Sequence, residues 1–172
     1  MIHPSTPQNA PPLYTPEQRQ RRDASSWTLV QGVLAPLQFL VFLISLGLVI
    51  TFLQTGEYFA AATISVVVKT LLLYTIMVTG AIWEKEVFGQ YLFAPSFYWE
   101  DVFSMLVLAL HTAYLVVWLF SLAPPHMQMA LALAAYATYV VNAAQFLLKL
   151  RRARLQSVVT IQPTVRSEWV RS

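Results

Sequence analysis

The 172-residue chain contains no cysteine, which excludes disulfides, thiolate metal sites and a CxxCH haem attachment. It holds three histidines, and no two of them fall at metal-ligand spacing. Its five glycines form neither a phosphate-cradling loop nor a nucleophile elbow. Charge is scarce, at 11% of residues against roughly 25% in soluble domains. It is absent over long runs. Asp23 and Glu57 bracket 33 residues without a charge. Tyr58–Trp83 has only Lys69, and Val102–Leu148 has no Asp, Glu, Lys or Arg. No internal repeat, low-complexity tract or strand pattern is present.

What is present is hydrophobic, at 57% of residues. About 20 apolar residues in a helix span a bilayer core. Four such stretches leave room for one domain: an all-α, integral membrane four-helix bundle. The helices are expected over about 27–53, 59–84, 98–122 and 127–152. Ala123-Pro124-Pro125-His126 divides the last two, and Pro36 is expected to kink the first. Thr15-Pro16-Glu17-Gln18 reads as a helix start, so a short cytoplasmic amphipathic helix should precede the bundle. The domain is expected over 14–156. Residues 1–13, polar and proline-rich, read as a disordered tail rather than a signal peptide, and 157–172 as a flexible one.

The net charge of +3 does not point to nucleic acid, because its distribution follows topology. Arg19, Arg21 and Arg22 precede the first span; Lys149, Arg151, Arg152 and Arg154 follow the last. The loops at Gly56 and at Pro124-Pro125 carry no Lys or Arg. Both termini are therefore expected on the cytoplasmic side, with contact to anionic headgroups as a compatible extra. Trp27, Trp83, Tyr91, Tyr98 and Trp99 fall at that interface, where aromatic belts sit.

Each helix carries one polar stripe. Gln31, Gln38 and Ser45 are seven apart, hence each about 20° from the last. Glu100, Ser104 and His111 fall within about 40° of arc. Thr138, Asn142, Gln145 and Lys149 form a third stripe; Lys69 and Glu84 lie about 60° apart, with Glu86 pointing elsewhere. Such stripes meet at a shared interior. Glu84, Glu86, Glu100 and Asp101 concentrate at the cytoplasmic mouth, while Lys69 and His111 share a mid-membrane depth. Plainer readings exist. Gln, Asn and His are common ties between membrane helices, and Glu84-Lys85-Glu86 fits a solvated helix end. Lys69 is harder to dismiss, since a mid-membrane ammonium costs at least ~2.5 kcal/mol.

Three stretches carry a resemblance. Leu13-Tyr14-Thr15-Pro16-Glu17-Gln18-Arg19 with Trp27–Phe39 is one. Val78–Pro95, which includes Trp83-Glu84-Lys85-Glu86 and Gly89-Gln90-Tyr91-Leu92-Phe93-Ala94-Pro95, continues through Trp99-Glu100-Asp101-Val102-Phe103 to His111. Ala134–Val140 with Asn142 and Gln145 is the third. Over about residues 13–155 the chain resembles the 3-vinyl bacteriochlorophyllide hydratase family. That resemblance implies addition of water to the C3-vinyl group of a chlorophyllide or bacteriochlorophyllide, giving a 1-hydroxyethyl group in bacteriochlorophyll a synthesis. It implies a bacterial inner (intracytoplasmic) membrane, and it is compatible with homo-oligomers and with contacts to other bacteriochlorophyll-synthesis enzymes.

Such a hydration needs a general acid, a positioned water and negative charge near the developing cation. Under this resemblance Glu84 and Glu100 are the leading acids, with Asp101 and Glu86 in reserve. Gln31, Asn142 and Gln145 are candidates to hold the water, and Gln38 to line the substrate site. His111 is a candidate ligand of the substrate's magnesium or a hydrogen-bonding partner of a ring carbonyl; Lys69 is a candidate partner of a substrate carboxylate. No separate cofactor and no metal of its own are expected. The other class of reading is a non-catalytic tetraspan carrier or assembly factor for chlorophyllide pigments. A small transporter fits less well, because there is one acidic mouth and no repeat.

Overall fold

The computed structural model describes residues 13–168, with side chains described as far as Arg151. Five helices follow one another: α1 (Pro16–Ala24), α2 (Ser26–Thr55), α3 (Phe59–Phe88), α4 (Tyr98–Leu119) and α5 (Pro125–Glu168). No strand occurs among the described residues. Helices α2, α3, α4 and the Pro125–Arg151 part of α5 are each long and apolar enough to cross a membrane.

The helix ends follow from local chemistry. Thr15 caps α1 with a complete capping box: its hydroxyl accepts from Gln18 N–H, and Gln18 Oε1 accepts from Thr15 N–H at 2.9 Å. Ser25 ends α1 and at once caps α2 by accepting from Trp27 N–H at 3.2 Å. Gly56 and Gly89 close α2 and α3 at φ 75° and 87°, where a Cβ would be strained. Helix α2 runs through Pro36 without interruption.

Three boundaries differ from expectation. Helix α3 continues to Phe88, a turn past the expected 84, because no breaker precedes Gly89; Glu84 thus lies inside a helix. Helix α4 stops at Leu119 rather than 122, where Ser121 turns left-handed ahead of Pro124-Pro125. Helix α5 starts with Pro125 at its first position, and, with no glycine to stop it, stays helical to Glu168. The segment expected to be flexible from 157 is therefore helical as far as Glu168; 169–172, like 1–12 of the expected N-terminal tail, lie outside the described residues.

The bundle consists of two antiparallel hairpins, α2 with α3 and α4 with α5, each packed along its length. Gln31–Thr79 (2.7 Å) and Ser45–Ser65 (2.7 Å) fix the first register; Asn142–Ser104 (2.8 Å) and Lys149–Glu100 fix the second. The hairpins meet along a narrower seam. There Ser45 bonds the Tyr136 hydroxyl, Phe42 packs on Tyr136 and Tyr139, and Tyr74 bonds Thr112 at 2.8 Å. Val49, Val66, Val107, Tyr114 and Met129 are fully buried in the middle. Leu29, Ile64, Val78, Leu119 and Leu147 point outward, as a lipid-facing surface requires. Helix α1 packs on α3, so Arg19, Arg21 and Arg22 lie at the same end as Lys149 and Arg151.

Candidate functional site

At that basic end the end of α3, the start of α4 and the loop between them meet. Glu84 and Asp101 are both buried, at 5% and 3% exposure. Adjacent amides of the loop reach one oxygen of each, which places the two carboxyl groups side by side. Ionised carboxylates only accept, so a direct bond between two carboxyl groups requires a proton on one of them. The loop supplies both amide donors. Phe93 N–H donates to Asp101 Oδ2 at 2.7 Å, and Ala94 N–H approaches Glu84 Oε2 at 3.4 Å. Phe93 sits at φ 60°, which turns both amides toward the pair. Each carboxyl keeps one oxygen that no loop amide occupies.

Glu100 is buried too, but it turns away from Glu84 and accepts from Lys149 Nζ on α5. Asp101, one residue on, takes the place beside Glu84 that the stripe pattern gives to Glu100. The helical register explains this: α3 and α5 flank α4, and adjacent residues about 100° apart face one each. Glu86 is exposed.

An aromatic cluster lies against the pair. Phe97 packs on Phe88 (5.7 Å between centroids), Trp83 (5.8 Å), Phe146 (5.9 Å) and Tyr14 (6.4 Å). Tyr14 stacks on Phe88 at 5.7 Å and lies under the Arg22 guanidinium. Ser96 Oγ donates to Leu13 O at 3.0 Å, which straps the segment before α1 over the loop. Trp83 Nε1 donates to Thr28, whose hydroxyl donates to Arg22 O. Trp99, Tyr91 and Tyr98 are exposed around this end.

The remaining candidates divide by depth. Gln31 is tied to Thr79 and lies against Gly80, as a helix–helix tie would. Asn142 donates to Ser104, leaving its Oδ1 without a protein partner; Gln145 Oε1 also lacks one. Deeper, Lys69 and His111 are fully buried. Lys69 Nζ has no hydrogen-bond partner among the described residues and sits 3.8 Å from the centroid of the Tyr139 ring. His111 Nδ1 is 2.8 Å from Val107 O, so in the neutral ring it carries the proton and Nε2 keeps an unpaired lone pair. Gln38 Nε2 is buried without a partner among the described residues. The loop amides, Tyr139 and the Tyr14 strap do not stand out in the sequence as site residues. Backbone donors leave no side-chain signature, and aromatic residues at an interface read as a belt.

The fold and site together define an integral membrane helical bundle with acid–base groups buried at one end. The chain belongs to the 2-vinyl bacteriochlorophyllide hydratase family, which it matches over residues 14–152. It is 73% identical to 2-vinyl bacteriochlorophyllide hydratase of Cereibacter sphaeroides over 144 residues, 83% of this chain and 89% of that protein. It is 69% identical to the protein of that name from Rhodobacter capsulatus over 157 residues, covering 90% and 91%. No solved structure matches the chain. The family description numbers the vinyl position 2 where the resemblance above numbers it 3.

Proposed function

We propose that this protein adds water to the vinyl group of a bacteriochlorophyllide, with Glu84 and Asp101 as a paired acid and base. The observation that carries this reading is the pair of adjacent loop amides that holds the two buried carboxyl groups side by side at one end of the bundle. The protonated member gives its proton to the terminal vinyl carbon, and the carbon–carbon double bond supplies the electron pair. Positive charge develops on the carbon attached to the ring, where the macrocycle delocalises it. Water bonds to that carbon, and its proton goes to the ionised member. The pair ends with one proton, as it began, and no electrons are transferred.

The loop amides of Phe93 and Ala94 hold one oxygen of each carboxyl, which orients the other toward substrate. Gln145 Oε1, one turn from Lys149, is a free acceptor suited to hold the water. Glu100 is held by Lys149 and does not act as the acid. Tyr91, Tyr98 and Trp99, exposed around this end, offer ring faces to a flat macrocycle. Magnesium would arrive within the substrate, and His111, through the lone pair of Nε2, is the side chain that would hold it.

The basic end is placed on the cytoplasmic side of the bacterial inner membrane, because the far-end loops carry no Lys or Arg. The test is incubation of membranes containing the protein with a vinyl chlorophyllide. A mass gain of one water on the pigment is expected. Unchanged pigment, with binding intact, would favour a carrier.

A further inference from the structure

The seam between the hairpins does not end at the carboxyl pair. His111 lies ten residues beyond Asp101 on α4, about 15 Å deeper by helical rise. At that level Lys69 enters from α3, Tyr139 from α5 and Gln38 from α2. The Gln31–Thr79 and Ser45–Ser65 bonds place Gln38 opposite Leu72, in the turn of α3 that begins at Lys69. His111 packs on the Tyr136 ring at 5.8 Å, and Lys69 on the Tyr139 ring nearly one turn further along α5. The polar groups here are unbalanced. Lys69 Nζ offers three donors and Gln38 Nε2 two, all without a protein acceptor, and neither atom reaches solvent. The Tyr139 ring face receives the ammonium but accepts no conventional hydrogen bond.

A buried ammonium held only by a ring face is half a site. Its complement is an anionic group rich in acceptors, and a carboxylate has about four lone-pair positions. We infer that Lys69, with Gln38 beside it, binds the free carboxylate of the substrate's propionate arm at the deep end of the seam. This rests on the proposed substrate, a chlorophyllide, which carries its propionate unesterified. With the vinyl group at the Glu84–Asp101 pair, the macrocycle stands upright in the seam and the arm extends toward Lys69. The free acid is thereby distinguished from an esterified pigment, whose neutral carbonyl cannot accept a charge-assisted bond in both oxygens.

The test compares a vinyl chlorophyllide with its methyl ester, using purified full-length protein. Binding is followed by pigment absorbance and hydration by product mass. The wild-type protein should prefer the free acid by about ten- to a hundredfold in Kd and KM. Lys69→Met should abolish the preference by weakening the free acid alone, and Lys69→Arg should retain part of it. Equal affinity of the wild-type protein for acid and ester overturns the inference. So does Lys69→Met that weakens both pigments alike, which marks a packing role. Should Lys69→Met fail to fold, Gln38→Leu and the wild-type comparison still decide. Failure of hydration with the acid preference intact would remove the proposed reaction and leave the carboxylate site standing.

Discussion

Glu84 and Asp101 differ from the other acidic residues in having each other. Glu17 and Glu57 are exposed, and Glu100 has a cation in contact. Removing the dissociable proton while keeping the shape isolates the chemistry. Glu84→Gln and Asp101→Asn should each fold, bind pigment and lose about 10²–10⁴ in kcat. Glu100→Gln should lose less, since it frees Lys149 without touching the shared proton. Full activity in both dyad variants would shift the acid role to Glu100 or a water chain. At His111 the question is the free lone pair. If Nε2 ligates magnesium, His111→Ala should weaken magnesium pigment far more than metal-free pigment, by titration of pigment absorbance. Equal affinity for both in a stable variant would remove the residue from the site.

Among elements, the spans and α1 were readable because their signals are local: unbroken apolar runs and the Thr15 cap with Pro16 behind it. The stripes also carried far. Glu84, Glu100, Lys69, His111 and Gln38, all on those stripes, are buried in the bundle. Which carboxyl faces which was not readable, because it depends on how α3 and α5 flank α4, and an arc of about 100° between Glu100 and Asp101 decides it. The strap was hidden for a similar reason: Tyr14 finds Phe88 and Phe97 only after more than seventy residues of intervening chain have folded. Its docking has a pH limit. Burial pushes the Tyr14 phenol above its ordinary 10.0, against the opposing pull of Arg22. Below about pH 10 the phenol is neutral both docked and free, so docking is insensitive to pH. Above that the free segment ionises first, and docking weakens. A fluorophore on Gln18→Cys should keep its emission up to about pH 10 and change above it. The same probe in Tyr14→Phe should stay flat through that range; a change that persisted would place the pH effect elsewhere.

For the whole molecule, the two-hairpin plan and the charge asymmetry bear on the same question. Every described Arg and all Lys except Lys69 lie at the end that holds the carboxyl pair. The proposed orientation puts that end toward the cytoplasm, following the tendency of Lys and Arg to stay on that side. The reaction site would then open to the compartment that holds soluble reactants, and the far loops at Glu57 and Pro124 would face the periplasm. The native chain lacks cysteine, so single introduced thiols report without background. Glu57 is exposed in the far loop and Gln90 is exposed in the loop beside the pair. In intact cells, Glu57→Cys should react with a membrane-impermeant maleimide, and Gln90→Cys should react only after the membrane is opened. The reverse pattern would invert the orientation and put the carboxyl pair on the periplasmic side. Labelling of both in intact cells would mean that the two loops lie on one side, which an up-and-down bundle with α2 and α3 antiparallel does not permit.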